Sequence, residues 1–253
     1  MNFFFGDATV LQIVILGISA LLIGANKMGI PAIGILPVVL LAMAFPSGKS
    51  PGIQLILLAA ADVLAVAYYR RHANWKVILR LIPFALIGIL LGTIVVRQID
   101  ADALQPVIGG LILALVILNL FRERLQHFVE HQGLWMAVIF GILLGFTTQL
   151  ANAAGPISAM YLILMRLKKQ EYMGVAAWTF LILNCIKLPI FISEGRITME
   201  AFWMDVGIFP LVLLGGVLGV TFFHKIPQRR FDQFVQVLVF LSAVYILVRY
   251  YWN

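Results

Sequence analysis

The chain contains few charged residues and only one cysteine. Charged residues make up 11% of its 253 residues and hydrophobic residues 62%, whereas a soluble domain carries roughly 25% charged residues. This shortage of charge excludes a soluble globular protein and predicts a polytopic helical membrane protein. The single cysteine, Cys185, excludes an intramolecular disulfide. No hydrophilic stretch is long enough to form a separate soluble domain.

The motifs of intramembrane enzymes and of metal sites are also missing. The sequence has no His-Glu-x-x-His, no Gly-x-Ser-x-Gly and no intramembrane aspartate pair. Its four histidines lie in loops without metal-ligand spacing, and Ser158 has no evident base. We therefore expect no catalytic residue, no metal and no cofactor.

The positive charge is confined to short loops. The net charge is +7, but the Lys and Arg residues lie between apolar runs. Charge in such loops orients a protein at the anionic cytoplasmic leaflet. We therefore expect contact with membrane lipids and no nucleic-acid partner.

Two long apolar runs are interrupted by polar residues, glycine and proline. The run at 8–46 contains the segment from Asn26 to Pro31, and the run at 134–165 contains the segment from Asn152 to Pro156. In hydrocarbon an unpaired backbone amide costs several kcal/mol, so a broken backbone is tolerated only inside protein or beside a watery cavity. These interruptions predict a ligand site within a membrane transporter.

The order of the segments repeats in the second half of the chain. Each interrupted run is followed by three apolar segments, at 52–69, 77–96 and 104–121 and again at 172–192, 201–223 and 231–251. Without a gap, Pro83, Gly88 and Gly92 match Pro210, Gly215 and Gly219. Because weak internal symmetry is typical of transporters, we predict two repeats in one membrane domain, residues 1–125 and 126–253. We interpret the paired glycines as helix-packing contacts.

The basic loops indicate how the repeats are oriented. Loops rich in Lys and Arg lie at 70–80, 122–131, 166–171 and 224–230. These loops share one side of the membrane only if each interrupted run enters and returns as a hairpin, either re-entrant or as two short spans. Each repeat is then a hairpin followed by three transmembrane helices, and the repeats are inverted. Both termini would lie on the periplasmic side of the inner membrane.

Each interruption is expected to begin a second short helix. The two helices would start near Met28–Gly29 and near Ala154–Gly155, with Pro31 and Pro156 in their first turns. Helix N-termini carry partial positive charge and free N–H groups, so two of them meeting near the bilayer midplane would form an anion site. We expect the two glycines to lie close together there, with Lys27 beside them.

Polar side chains near the interruptions are candidates for substrate contact. Lys27 is the predicted counter-charge for an anionic substrate, and the alternatives are a position at the membrane surface or an ion pair with Asp62. Asn26, Gln149 and Asn152 either donate amide hydrogens to the substrate or cap the broken helices. The first repeat would then supply the charge of the site.

Three further polar features are open to more than one interpretation. Asp62 either carries a coupling proton or pairs with a lysine, and Asn184, its counterpart in the second repeat, has no charge. Lys187 either joins the anion site or extends outward to the membrane surface. Thr147 and Thr148 are expected to bond to their own helix.

The pattern of these features resembles a known family. Each repeat opens with an apolar helix that breaks before a proline, a segment with a polar residue follows, and a short basic loop ends in Asn74-Trp75. This is similar to the sulfite exporter TauE/SafE family of bacterial and archaeal inner-membrane proteins. That family commonly has a glycine run at each break, of which Gly29 and Gly155 remain here. The resemblance implies export of sulfite or of organosulfonates such as sulfoacetate.

The sequence and the resemblance together predict a secondary transporter for a small anion, sulfite or an organosulfonate, that works by alternating access. The predicted substrate-binding residues are Asn26, Lys27, Met28, Gly29, Gln149, Asn152, Ala154, Gly155, Asn184 and Lys187, with Asp62 as the proton-coupling candidate. A passive anion channel and an importer of another sulfur or carboxylate anion are the alternatives. Coupling to protons or ions and assembly as a homo-oligomer are left open.

Overall fold

The fold is entirely helical where the structure describes it. The computed structural model describes residues 8–29, 31–45, 49–99 and 133–221, together with single positions between 103 and 117. Within these residues every regular element is a helix. Six of the helices are long and apolar enough to cross a membrane, which confirms the predicted all-α polytopic membrane protein.

The helices follow the predicted order of apolar segments. In chain order they are α1 (Val10–Met28), α2 (Ile35–Ala44), α3 (Ser50–Tyr69), α4 (Trp75–Gln98), α5 (Leu134–Ala151), α6 (Gly155–Leu164), α7 (Lys169–Ser193) and α8 (Met199–Thr221), with short 3-10 helices at Pro31–Gly34 and Arg70–His72. The predicted segment at 104–121 is described only at single positions. The repeat boundary at 125–126 and the last predicted segment, at 231–251, lie outside the described residues.

Local capping explains where several helices begin. At the start of α1, Gln12 N donates to Thr9 Oγ1 over 3.3 Å and Thr9 N donates to Gln12 Oε1 over 2.9 Å, which is a capping box. At the start of α4, the Asn74 side chain accepts from the Lys76 backbone N–H. Pro51 lies in the first turn of α3, where its missing N–H costs little.

The first interrupted run returns on itself. Gln12 Nε2, near the start of α1, donates to the Ala44 carbonyl oxygen at the end of α2 over 3.0 Å, so the two ends of the run meet. The second helix does not begin near Met28–Gly29 as predicted. A 3-10 helix at Pro31–Gly34 comes first, and the α-helix begins only at Ile35. Pro31 lies in this tighter 3-10 turn, and regular α-helical hydrogen bonding begins only after the turn.

The second interrupted run breaks close to the predicted place. Helix α5 ends at Ala151, and Asn152 follows in the left-handed conformation with φ 53°. Asparagine tolerates this conformation better than most residues, so it can end a helix as glycine does. Helix α6 then begins at Gly155, with Pro156 in its first turn.

The paired glycines are helix-packing contacts, as predicted. A Cβ atom at Gly88 of α4 would lie 2.1 Å from the Ile142 carbonyl oxygen of α5. A Cβ at Gly215 of α8 would lie 2.1 Å from the Leu21 carbonyl oxygen of α1. Each pair of helices is therefore in backbone contact, which only glycine permits at these positions. In each case a helix of one predicted repeat packs on the first helix of the other repeat's interrupted run.

Helix α3 lies at the centre of the described bundle. In the apolar stretch of α3, 72% of the residues are buried, compared with 33–56% in the other five long helices. It packs against α1, α2, α7 and α8. Polar residues on α3 and on the facing side of α7 are therefore held in the interior, away from lipid and from bulk water.

Candidate functional site

A cavity lies where the two interrupted runs meet α7. Its volume is about 50 Å³. The first run contributes Asn26, Lys27 and Gly34, the second contributes Thr148, Asn152, Gly155 and Ser158, and α7 contributes Tyr172, Phe180 and Asn184 among others. The wall of the cavity thus combines amides, hydroxyls and a lysine from both halves of the chain.

Lys27 forms an ion pair inside the protein. Its Nζ lies 2.6 Å from Asp62 Oδ1, and the Asp62 side chain is fully buried. The same ammonium lies 4.0 Å from the centre of the Phe180 ring, a cation–π contact. The charge of Lys27 is therefore balanced locally by Asp62, which is the structural alternative that the sequence left open.

Asn184 connects this ion pair to a second lysine. Its Nδ2 donates to Asp62 Oδ2 over 2.6 Å, and its Oδ1 accepts from Lys187 Nζ over 3.1 Å. An asparagine amide has one accepting end and one donating end, so it can bridge a cation and an anion without a charge of its own. Asn184, the predicted counterpart of Asp62 in the second repeat, thus bridges Asp62 and Lys187.

Lys187 is held by neutral oxygen atoms. Besides Asn184, its Nζ donates to Thr148 Oγ1 over 2.8 Å and to Asn152 Oδ1 over 2.6 Å. The side chain is completely buried, so it does not extend to the membrane surface. Three acceptors match the three donors of an ammonium group. Among the described residues no carboxylate pairs directly with it, so the cluster contains two basic side chains and one carboxylate.

The two threonines of α5 behave differently. Thr147 Oγ1 donates to the Leu143 carbonyl oxygen over 2.8 Å, as expected for a hydroxyl that bonds to its own helix. Thr148 departs from that expectation because its oxygen accepts from Lys187. This contact leaves the Thr148 hydroxyl proton able to donate toward the cavity that the residue lines.

A buried arginine holds the end of α5. Arg196 Nη1 donates to the Gln149 carbonyl oxygen and Nη2 to the Leu150 carbonyl oxygen, each over 3.0 Å. Burial lowers the pKa of Arg196 to about 10, and the neighbouring Glu194 carboxylate opposes this shift, so the guanidinium stays charged at neutral pH. A cation at a helix C-terminus also stabilises the helix dipole. Arg196 therefore fixes the break in the second run.

The N-terminus of α6 faces the cavity without a side-chain cap. Gly155 lines the cavity, and a Cβ atom there would meet no other atom within 4 Å. Ala154, directly before it, is fully buried and makes no capping hydrogen bond. This helix end therefore presents partial positive charge to open space, as the sequence predicts for an anion site.

Other predicted residues lie away from the cavity wall. The Met28 carbonyl oxygen accepts from the Tyr69 hydroxyl over 2.7 Å. Gly29 packs on α8, where a Cβ atom would lie 2.2 Å from the Gly219 carbonyl oxygen. The Gln149 side chain is buried beside Gly92 of α4, and its amide has no hydrogen-bond partner among the described residues.

Gly34 takes the place that the sequence assigned to Gly29. It lines the same cavity as Gly155, and a Cβ atom there would lie 2.8 Å from Asn26 Nδ2. The expected charge distribution also differs, because Lys27 is balanced by Asp62 whereas Lys187 is not. The lysine without a carboxylate partner therefore lies in the second predicted repeat, whereas the sequence placed the charge of the site in the first.

Several residues of the site were not singled out from the sequence. One signal was present on α7, where Met173, Ala176, Ala177 and Phe180 recur at helical spacing with the predicted residue Asn184 and form one face of the cavity. Arg196 gave a weaker signal as a basic residue in a loop otherwise poor in Lys and Arg. Its contacts with the end of α5 join residues 46 and 47 positions apart, which no local pattern reveals.

The family match agrees with this arrangement of helices and buried polar groups. The sequence model of the sulfite exporter TauE/SafE family matches residues 12–246, nearly the whole chain. No curated protein and no solved structure matches the chain. The chain belongs to the sulfite exporter TauE/SafE family, a family of membrane transporters.

Proposed function

We propose that the protein carries sulfite or an organosulfonate across the inner membrane by alternating access, in the direction of export. The observation that carries this proposal is a buried lysine beside the central cavity, Lys187, with no carboxylate partner among the described residues. Asp62 pairs with Lys27, and Asn184 links the same carboxylate to Lys187. A charge inside a membrane protein is costly unless it is paired, so this arrangement favours the entry of an anion.

The groups around the cavity suit the oxygens of a small anion. The Thr148 hydroxyl proton and amide hydrogens of Asn26, Asn152 and Asn184 would bind the anion, with Lys27 nearby. Lys187 would act through Thr148, Asn152 and Asn184, because its three hydrogen bonds occupy their oxygens. One amide hydrogen of Asn152 bonds to the Pro51 carbonyl oxygen and one of Asn184 to Asp62 Oδ2, so the second hydrogen of each amide and the Thr148 hydroxyl proton would bind the substrate. The N-terminus of α6 at Gly155 would add backbone donors.

The size of the cavity favours the smaller substrate. A water molecule needs roughly 10–15 Å³, so the cavity of about 50 Å³ holds a few waters or one small oxyanion. Sulfite fits this space. An organosulfonate such as sulfoacetate would require a wider state of the cavity, which alternating access would supply during the transport cycle.

Contacts between loops support the proposed inverted repeats. Asn74 Nδ2 donates to Glu171 Oε1 over 2.6 Å, so two of the basic loops share one end of the bundle. Gly52 lies against the Arg196 carbonyl oxygen, so two loops poor in Lys and Arg share the other end. The positive-inside rule then assigns the first end to the cytoplasm, and the termini to the periplasm.

Counterflow in liposomes tests the proposed transport. Purified protein is reconstituted with unlabelled sulfite inside, and radiolabelled sulfite is supplied outside. A carrier accumulates label transiently because inward movement of label is coupled to outward movement of unlabelled sulfite, whereas a passive channel does not. The control is the same preparation loaded with chloride.

Ligand-dependent thermal stabilisation tests the choice of substrate separately. Sulfite, methanesulfonate, sulfoacetate and acetate are titrated onto the protein in detergent, since a ligand that binds only the native state must raise the melting temperature. We expect sulfite to stabilise the protein most. Absence of stabilisation by every sulfur anion, together with absence of sulfite counterflow, would rule out the proposed function.

A further inference from the structure

A second buried carboxylate lies in the membrane-spanning part of the protein, outside the central site. Asp205 lies in α8, and the residue is 2% exposed. Neither of its carboxylate oxygens has a hydrogen bond or an ion pair among the described residues. In this respect it differs from Asp62, whose two oxygens contact Lys27 and Asn184.

The described helices that pack against α8 provide no compensating charge for Asp205. Helix α8 packs mainly against α1 and α3. The charged residues on these three helices, apart from Asp205, are Lys27, Asp62 and Glu200. Lys27 and Asp62 pair with each other, and Glu200 lines a different cavity near the start of α8. Asp205 is therefore buried without a counter-ion among the residues that the structure describes.

Other buried polar groups on these helices are also without partners. The Ser19 hydroxyl of α1 and the Gln54 Nε2 atom of α3 are buried and have no hydrogen bond among the described residues. Both lie on helices that pack against α8. An unsatisfied buried polar group costs roughly 1–3 kcal/mol. The three helices α1, α3 and α8 thus each carry a buried polar group without a partner among the described residues.

A cavity reaches the helix turn that carries Asp205. It has a volume of about 280 Å³ and is lined by Ala201 and Met204 of α8, together with Gln12, Lys49, Arg196 and Glu200 among others. Ala201 is one helical turn before Asp205, and Met204 is its neighbour in sequence. This cavity shares no lining residue with the central one. Residues four apart in a helix lie on the same face, so Ala201 places the cavity on the face of α8 that carries Asp205.

An unpaired carboxylate in an apolar interior is much less stable than the neutral acid. Removing an ion from water costs several kcal/mol even after relaxation, and binding of a proton avoids this cost. The carboxylate form is stable there only when water solvates it or a cation pairs with it. A small movement of α8 that opened the cavity toward Asp205 would provide that water.

We propose that Asp205 is a proton-binding site, separate from the central cavity, that takes up and releases one proton as water from the neighbouring cavity gains and loses access to it. During transport this proton would move in step with the anion. Only this coupling depends on the proposed transport function. Occupancy of Asp205 by a proton does not depend on it.

Infrared spectroscopy tests the bound proton directly. At neutral pH the wild-type protein should show the C=O stretch of a buried protonated carboxylic acid. The band should be lost in Asp205→Asn and retained in Glu200→Gln, the control on the same helix. The amide is uncharged and nearly isosteric, so Asp205→Asn should also fold and melt at or above the wild-type temperature. A wild-type spectrum without the band, or a band that persists in Asp205→Asn, would overturn the proposal.

Proton movement in liposomes tests the coupling. A gradient of methanesulfonate is used because this anion carries no titratable proton near neutral pH, and a dye inside the liposomes reports pH. Wild type and Glu200→Gln should move protons with the anion, and in Asp205→Asn proton movement should fall to the level of protein-free liposomes. Wild-type proton movement in Asp205→Asn would refute the coupling. If wild type moves no methanesulfonate, the transport proposal is weakened, whereas the infrared band still decides whether Asp205 holds a proton.

Discussion

The clearest test of the proposed anion site is the substitution Lys187→Met. Methionine has a similar length but no charge, so the substitution removes the positive charge that no carboxylate balances. The Lys27–Asp62 ion pair and the shape of the cavity should be preserved. Any loss of anion affinity then reports mainly the charge at Lys187.

The expected loss follows from the distance between Lys187 and the cavity. Its Nζ lies 2.8 Å from Thr148 Oγ1, and a further hydrogen bond of about 2.8 Å to the anion would place the two charges about 5.5 Å apart. At an effective dielectric constant of about 20, their attraction is about 3 kcal/mol. Loss of this attraction would weaken anion binding about a hundredfold.

The assay is the dissociation constant of sulfite for purified protein, measured by calorimetry at low ionic strength. The matched control is the double variant Lys27→Met with Asp62→Asn, which removes one positive and one negative charge and leaves the net charge of the cluster unchanged. We expect this control to bind sulfite within about tenfold of wild type, since each tenfold change corresponds to about 1.4 kcal/mol. The melting temperature is measured separately, because Lys187→Met also deprives three oxygen atoms of a donor.

Two results would refute this reasoning. If Lys187→Met bound sulfite as wild type does, the charge at Lys187 would play no part in anion binding. If the double variant lost as much affinity as Lys187→Met, the Lys27–Asp62 pair would contact the substrate directly and would not act only as a balanced structural pair.

Three further predictions concern positions that shape the site. Gly34→Ala should slow sulfite counterflow at an unchanged melting temperature, because its Cβ would lie 2.8 Å from Asn26 Nδ2 and displace that amide. Arg196→Met should lower the melting temperature, since it removes two charge-assisted hydrogen bonds worth roughly 1.5–3 kcal/mol each, and lysine at this position should restore only part of the loss. Gly24→Ala should destabilise the protein by roughly 1–3 kcal/mol, measured by thermal denaturation in detergent, because its Cβ would lie 2.1 Å from the Val212 carbonyl oxygen.

A distinct result would contradict each of these three predictions. Wild-type counterflow in Gly34→Ala would show that the Asn26 amide does not contact the substrate. An unchanged melting temperature in Arg196→Met would show that the arginine does not stabilise the C-terminal end of α5. Wild-type stability in Gly24→Ala would show that α1 and α8 separate at no measurable cost.

Much of the architecture could be predicted because it depends on composition and local chemistry. Apolar segments of about 20 residues must become membrane-spanning helices, since lipid offers no partner for backbone polar groups. Glycines four residues apart on an apolar helix allow a neighbouring backbone to approach, and Gly88 and Gly215 do so. Asn152 and Pro156 carry local conformational preferences that end one helix and begin the next. These properties belong to each residue and its near neighbours.

The details of the site could not be predicted because they depend on contacts between distant residues. The sequence identified both buried lysines and Asp62 as candidates, but not which lysine would be paired. That outcome depends on how α1, α3 and α7 pack, which brings Lys27 to Asp62 and leaves Lys187 among neutral oxygens. The position of Gly29 likewise depends on its packing against Gly219 of α8, and Gly34 lines the cavity in its place.

The sequence alone therefore determined the membrane class, the two interrupted runs and the polar residues available for a site. Tertiary structure alone decided which lysine pairs with Asp62, because electrostatic energy depends on the distance between two groups and not on their separation in the chain. Asp62 and Asn184 are 122 positions apart, and yet their side chains lie 2.6 Å from each other. The same packing left Asp205 buried without a partner, which no local pattern of residues could have shown.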